Sequence, residues 1–329
     1  MSEHRSILRE TADALFADAA GRDFAQGWAR IEKAGFATLL IPEAKGGFGG
    51  DFGDLVAVLR LAGFHALPLP VGETIVAARL LADAGIAVPE GILSMAARAV
   101  GGIADGRFSG VLHRVPWGGD AAYVVAVIDG QIVLLPAATA VDHGESPAGE
   151  PRDTLHYDTV AISSAATDAD PMALGALLRV AQVAGALDRS LALAIEHANQ
   201  RQQFGKPLAK FQAVQQSLAI LAAEAAAVNV AAAAAAAAFD CHREAGFEVA
   251  AAKLRANIAI GIGAAIAHQV HGAIGFTAEY PLHRVTRRMM GWRSEFGNDR
   301  YWAWRLGVRA VRGGGAGLWH EITARSDAA

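Results

Sequence analysis

Eight consecutive alanines, Ala231–Ala238, constrain this 329-residue chain more than any other feature. Alanine has the highest helix propensity of any residue and almost no bulk. The run lies inside a longer apolar stretch, Ala225–Phe239, bounded by Glu224 and Asp240. That stretch is shorter, and built from a weaker hydrophobe, than the ~20 strongly apolar residues of a membrane span. It predicts a buried helix packed closely against its neighbours, as in an antiparallel bundle. Apolar residues at helical spacing surround it. Helices are expected near 172–200, 210–243, 247–271 and 297–312, followed by a Gly-rich tail from Gly313 that frays.

The first part of the chain is also helical. Ile7, Leu8, Ala12, Leu15 and Phe16 recur at helical spacing, and a second helix carries Trp28, Ile31 and Ala34 before stopping at Gly35. GGFGG is a loop, and Asp51 or Gly50 caps a helix running to about Gly63. LPLPVGE is extended, and Glu73 to Ala84 forms another helix. The middle differs. AAYVVAVIDGQIVLLPA is two strands joined at Asp129-Gly130, a strong hairpin signal. RFSGVLHRV and TLHYDTVAIS are further strands, giving a small sheet of four to six, and 163–171 is a linker. Trp117, among these strands, is expected in the core. The fold class is α+β, mostly α: an N-terminal helical domain (1–97), a reduced middle β domain (98–165) and a C-terminal helix bundle (166–329).

Composition excludes several functions. A hydrophobic fraction of 53% with 19% charged residues excludes a disordered chain. A net charge of −4 and a pI near 6.3 argue against nucleic acid as a partner. The single cysteine, Cys241, forms no internal disulfide and no Cys-rich metal site. The charged start MSEHRSILRE has no apolar core of a signal peptide, so a cytoplasmic protein is expected. His268 and His271 stand three apart without a carboxylate cluster, so no metal is expected. No serine lies in a G-x-S-x-G context, which leaves a hydrolase unsupported.

Two segments hold the candidate chemistry. In HANQRQQFGKPLAKFQAVQQSLA, Arg201 ends one helix, Gly205 and Pro207 turn the chain, and the next helix begins near Ala209. Arg201 could simply cap helix carbonyls. Alternatively, Arg201, Gln203 and the next helix's free N–H groups form a corner suited to a pyrophosphate. In QVHGAIGFTAEYPLHRVTRRM, Gly272 and Gly275 flank a sharp turn, where glycine lets the backbone approach a ligand. Arg284, Arg287 and Arg288 form a basic strip that meets a ligand phosphate, adjoining carboxylates, or solvent at an inter-subunit face.

RQQFGKPLAKFQAVQQSLA together with QVHGAIGFTAEYPLHRVTRR resembles the C-terminal motif pair of the acyl-CoA dehydrogenase family. WARIEKAGFATLLIPEAKGGFGGDFGDL and LPLPVGETIVAARLLADAG resemble its first helical domain. The resemblance implies the same three-part architecture, FAD as cofactor, and α,β-desaturation of an acyl-CoA, in which a carboxylate removes the α-proton and flavin accepts the hydride. Matched residue by residue, it implies that Arg201 faces the FAD pyrophosphate with Gln203 and Phe204 beside it. Phe211 and Gln212 lie near the adenine or ribose. Gln269, His271, Gly272 and Ala273 line the adenosine-diphosphate channel. In this family these groups reach a FAD held by a neighbouring subunit, so an oligomer is implied, with an electron-acceptor flavoprotein as a further partner.

The chain departs from the family pattern at two points. The middle domain is short and lacks the segment resembling T-E-P-x-x-G-S-D that normally holds the flavin ring. The two positions where the family places its catalytic Glu fall on Phe296 and Gly175. Glu295 is one residue early; it is either a base redirected by the turn or a surface carboxylate paired with Arg293 or Arg300. These departures resemble the short subunit of heteromeric acyl-CoA dehydrogenases of steroid and bile-acid degradation, in which a longer homologous chain supplies the base in an α2β2 assembly. A self-sufficient homo-oligomer using Glu295, a non-catalytic scaffold and an oxidase are the competing readings. The acyl group is not readable.

Overall fold

The structure, a computed structural model, describes residues 3–241 and 245–326. Four helices come first: α1 (Glu3–Ala19), α2 (Phe24–Lys33), α3 (Phe52–Phe64) and α4 (Val71–Asp83). Asp51 caps α3 through a reciprocal box with Asp54, satisfying N–H groups the helix cannot pair itself. The carboxylate of Asp240 also accepts from the N–H groups of Phe52 and Gly53, tying this helix start to the far bundle.

Eight strands follow, not four to six. β1 (Leu93–Ala96), β4 (Tyr123–Ile128), β5 (Gln131–Leu135) and β8 (Ser163–Ala166) form one sheet, in that order. β2 (Ala99–Ala104), β3 (Arg107–Pro116), β7 (Arg152–Ala161) and β6 (Ala140–Asp142) form another. The β4–β5 hairpin turns at Asp129-Gly130, both at positive φ, as its sequence predicts. The first strand, β1, precedes residue 98, and β8 occupies part of the expected linker. Period-two alternation explains why one sheet became two: along β4, Val124, Ala126 and Ile128 pack between the sheets, while Val125 faces the N-terminal helices.

The chain then returns to helices: α5 (Pro171–Gln200), α6 (Gln212–Asp240), α7 (Gly246–His271), α8 (Leu282–Ser294) and α9 (Asp299–Ser326). A two-residue hairpin, β9 (Gln202–Gln203) with β10 (Lys206–Pro207), joins α5 to α6. α5 is apolar on most sides because it serves two cores: Leu177, Val180 and Leu187 pack in the bundle, Leu174 and Leu178 against the N-terminal helices. Gly63 and Gly185 let α3 cross α5 backbone to backbone; a Cβ on either would strike the other helix.

Three expectations need correction. α6 is long and apolar enough to cross a membrane by length and composition, and only one face of it is buried, through Leu221, Ala225, Val228, Ala232 and Ala235. Ile220 and Val230 remain exposed. Its expected end at 243 lies outside the described residues. α8 was not foreseen. The tail is helical to Ser326, broken at Gly314, where φ is 65°; residues 327–329 lie outside the described residues.

Candidate active site

Two segments that lie far apart in sequence meet at one end of the bundle. α5 ends at Arg201 and α7 ends at Gly272. The rings of His197, one turn before Arg201, and His271, the last residue of α7, stack with centroids 4.7 Å apart. The pKa of His197 is lowered by burial, then by the neighbouring His271 and Arg201. Arg201, Gln203, Gln269, Gly272 and Ala273 are exposed around this stack. His271 is not: it is 5% exposed, its ring bonded to the Ala267 carbonyl at 2.7 Å and to the Tyr280 hydroxyl at 3.1 Å. It supports the corner from beneath rather than lining its surface.

The corner is polar and unsatisfied. Among the described residues no carboxylate meets the Arg201 side chain. α6 begins at Gln212 behind Phe211, and no side chain caps its first N–H groups. Phe204 is 92% exposed and held at a φ of 50°, with its ring 6.3 Å from that of Phe211. The Lys206 ammonium lies 4.4 Å over the Phe211 ring. A guanidinium, an ammonium, an open helix N-terminus and an exposed aromatic ring together suit a diphosphate next to an aromatic base.

The region of the expected base has the opposite character. Gly175 on α5 lies directly under the ring of Phe296, and a Cβ at 175 would overlap that ring. The two family positions for the catalytic carboxylate are therefore neighbours in space, and here a phenyl group fills the space between them. Phe296 is held at a φ of 49°, and the Arg179 guanidinium lies 5.3 Å over its ring. The small cavity beside it, lined by Met95, Arg98, His113, Met172 and Glu295, has a volume of about 140 Å³. That is below the ~300–1,000 Å³ of small-molecule sites.

Glu295 is buried and doubly paired, neither a surface carboxylate nor a partner of Arg293 or Arg300. Its Oε1 accepts from Arg152 Nε and its Oε2 from Arg179 Nε, both at 2.8 Å. Burial pushes its pKa up, but the charges and hydrogen bonds of Arg179 and Arg152 outweigh this and hold it at about 2. A carboxylate this acidic, with both oxygens occupied, is a poor base for an α-proton. The pairing continues on both sides. Arg179 donates to Glu73 of α4 at 2.5 Å, and Arg152 to Glu150 at 3.1 Å, which in turn accepts from Arg288 of α8 at 2.8 Å. The chain Glu73–Arg179–Glu295–Arg152–Glu150–Arg288 thus links the N-terminal helices, the bundle and the β domain. Trp117 is core, under the Arg152 guanidinium at 4.9 Å. Arg293 pairs instead with Asp299.

The sequence did not indicate this network. Glu73 and Arg179 each interrupt a run of small and apolar residues that is buried in its helix, Val71–Ala78 and Ala173–Leu187, which is the signal that could have marked them. No group of three or more His, Cys, Asp or Glu residues able to hold a metal occurs among the described residues.

Comparison with known proteins agrees with this architecture. Residues 167–304 match the acyl-CoA dehydrogenase C-terminal domain. The chain is 31% identical over 310 residues to acyl-CoA dehydrogenase IpdE2 of Mycobacterium tuberculosis, covering 88% of this chain and 92% of that one. It is 30% identical to acyl-CoA dehydrogenase FadE34 of the same organism, but spans only 46% of that longer protein. Among solved structures, the steroid ACAD Tcur3481-Tcur3483 (G363A variant) superposes with a TM-score of 0.87 at 24% identity, over 94% of this chain and 98% of that one. The ChsE4-ChsE5 complex of M. tuberculosis superposes with a TM-score of 0.81 at 22% identity, over 94% and 97%. The chain belongs to the acyl-CoA dehydrogenase family. It is an oxidoreductase fold whose cofactor is FAD, and the residues present fit the diphosphate half of that cofactor at the Arg201 corner.

Proposed function

We propose that this chain is the base-less subunit of a heteromeric acyl-CoA dehydrogenase, in which a longer homologous partner supplies the catalytic carboxylate in an α2β2 assembly. The observation that carries this reading is the Phe296 ring seated on Gly175, with Glu295 turned into the Arg152–Arg179 pair. Bound FAD supplies the hydride acceptor for α,β-desaturation of an acyl-CoA. This chain's part is to bind and orient it. Arg201 and the uncapped start of α6 hold the pyrophosphate, Gln203 and Phe204 flank it, and Phe211 and Gln212 lie toward the adenine. Gln269, Gly272 and Ala273 bound the same channel, with His271 propping Tyr280 and His197 behind it. The α-proton is removed by a carboxylate of the partner, since no free carboxylate stands at either family position here.

The steroid ACAD and the two-protein complex among the similar structures support a bulky polycyclic acyl-CoA and a heteromer. An electron-acceptor flavoprotein is the expected oxidant, and the cytoplasm the expected compartment. The test is anaerobic reduction by candidate steroid acyl-CoA thioesters, measured as bleaching of flavin absorbance. The co-expressed pair should bleach, and a Glu→Gln change at the partner's base should abolish bleaching. Full bleaching by this chain alone would overturn the reading in favour of a self-sufficient enzyme.

A further inference from the structure

The Arg201 end of the bundle gathers histidines from two helices: His197 on α5, and His268 and His271 on α7. The two on α7 have their ring hydrogens fixed by their partners. A carbonyl only accepts, so His271 Nδ1 donates to Ala267 at 2.7 Å, and Nε2 of the neutral ring accepts from the Tyr280 hydroxyl at 3.1 Å. His268 Nε2 donates to the Thr286 hydroxyl at 2.9 Å, which donates onward to the Leu282 carbonyl at 3.3 Å. The other nitrogen of His268, Nδ1, is buried with no partner among the described residues. His197 differs from both. Its ring is half-buried and makes only ring contacts, stacked on His271 with centroids 4.7 Å apart and edge-on to Tyr280 at 6.3 Å. Neither of its nitrogens has a hydrogen-bond partner among the described residues. Protonating His271 would break the Tyr280 bond, and protonating His268 would place a hydrogen where nothing accepts it. His197 takes a proton without breaking a bond.

Arg201 follows His197 by one turn, and the exposed Glu196 precedes it, its carboxylate accepting from Gln200 at 3.1 Å. His271 faces the ring from α7 and Tyr280 from the turn before α8, with His268 and His283 beyond them. Arg189, two turns earlier on α5, acts on Tyr280 in opposition to Glu196. Burial, His271 and Arg201 together hold His197 below the ordinary histidine value, so its ring is neutral at neutral pH. A diphosphate bound at Arg201 reverses this balance. It neutralises the guanidinium that repels a proton from the ring, and it adds negative charge on the same side. The imidazolium then formed stands one helical turn, ~6 Å along the axis, behind the guanidinium. That is inside the ~8 Å Debye length of physiological salt, so both cations act on one ligand.

We infer that His197 is a positioning residue of the FAD corner, which takes up a proton from solvent when the diphosphate binds at Arg201 and so couples cofactor retention to pH. The inference rests on the reading of this corner as the FAD-diphosphate site, and not on which chain supplies the base. The only bond formed is the new N–H of the ring, and the proton returns to solvent when FAD leaves. The bound ring has the higher proton affinity. Tighter FAD binding is therefore fully present below the pKa of the free ring and is lost as pH rises through that of the bound ring.

The test is calorimetric titration of FAD into the co-expressed pair stripped of flavin, in buffers of different ionisation enthalpy, which counts the protons taken up. FAD itself carries no group that titrates near neutral pH. The pair should take up a fraction of a proton per FAD, and its affinity should fall at least about threefold between about pH 6 and about pH 8. His197→Phe keeps a ring for the stack and removes the proton site. It should abolish the uptake and flatten the pH dependence, with a melting temperature that matches the parent. His197→Gln, which drops the ring as well, should flatten the pH profile in the same way, so a poorly folding Phe variant does not decide the matter. FAD binding without proton uptake overturns the inference and leaves the FAD site in place, as does uptake that both variants retain. A pair that binds no FAD at either pH overturns the reading of the corner and the inference together.

Discussion

The two ends of α5 carry opposite kinds of polar group. At the C-terminal end Arg201 stands exposed with no carboxylate partner among the described residues, next to an uncapped helix start and an exposed Phe204. Near the N-terminal end, Gly175 is covered by Phe296, and Arg179 is wholly buried between the carboxylates of Glu73 and Glu295. Unmatched donors at a surface mark a place where a ligand completes the bonding. Matched charges in the interior mark a place where the protein has completed it alone, and buried pairs survive only when both partners are present. On the proposed reading, the family's two functions, holding FAD and removing a proton, are separated along this helix.

Glu295→Gln probes this contrast most strongly. It leaves Arg179 and Arg152 buried beside a neutral group and should cost about 3–5 kcal/mol in urea unfolding. The same carboxylate gives a pH signature. Its folded pKa of about 2 lies below the ~4.3 of an unfolded glutamate, so its stabilisation is full above that value and is lost as pH falls toward 2. An unchanged unfolding midpoint with lost turnover in the assembled enzyme would make Glu295 a base after all. Gly175→Ala comes next. Its methyl group meets the Phe296 ring and should cost about 1–3 kcal/mol, much of it recovered in the Gly175→Ala, Phe296→Ala double variant. Additive losses would show that the two residues do not touch.

A second pH signature comes from Lys253, whose ammonium donates to the carbonyls of Trp292 and Arg293 at the end of α8 and to Asn257 of α7. Burial lowers its pKa to about 7, with Glu295 pulling the other way. Because the folded value lies below the unfolded one of ~10.4, this residue makes stability rise between pH 7 and that limit. Lys253→Met should flatten that rise in the pH dependence of the melting temperature. The least effect on the fold belongs to Arg201→Gln, within about 0.5 kcal/mol for an exposed position, while FAD affinity of the assembled enzyme falls at least tenfold. Loss of stability with FAD retained would reverse the assignment of the two ends.

The open corner was legible in the sequence because its residues lie in two short motifs, each in an exposed segment at a helix end. The closed end was only half legible. Counting along the motif placed Phe296 and Gly175 at the base positions, but nothing local marked the fate of Glu295. Its partners Arg152 and Arg179 lie 143 and 116 residues away. Strand pairing is equally non-local, which is why one sheet was expected and two were found. α8 was missed although Leu282, Val285, Thr286, Met289 and Trp292 keep helical spacing on its buried side. The arginines between them drew attention to charge rather than to period.

The central claim, that this chain holds half of a FAD site and no base, is tested most directly by the visible spectrum of the purified protein, alone and co-expressed with a longer homologue. The account predicts a colourless chain alone and a yellow pair holding fewer FAD than protein chains. A yellow homo-oligomer with one FAD per chain, bleached anaerobically by an acyl-CoA, would contradict it.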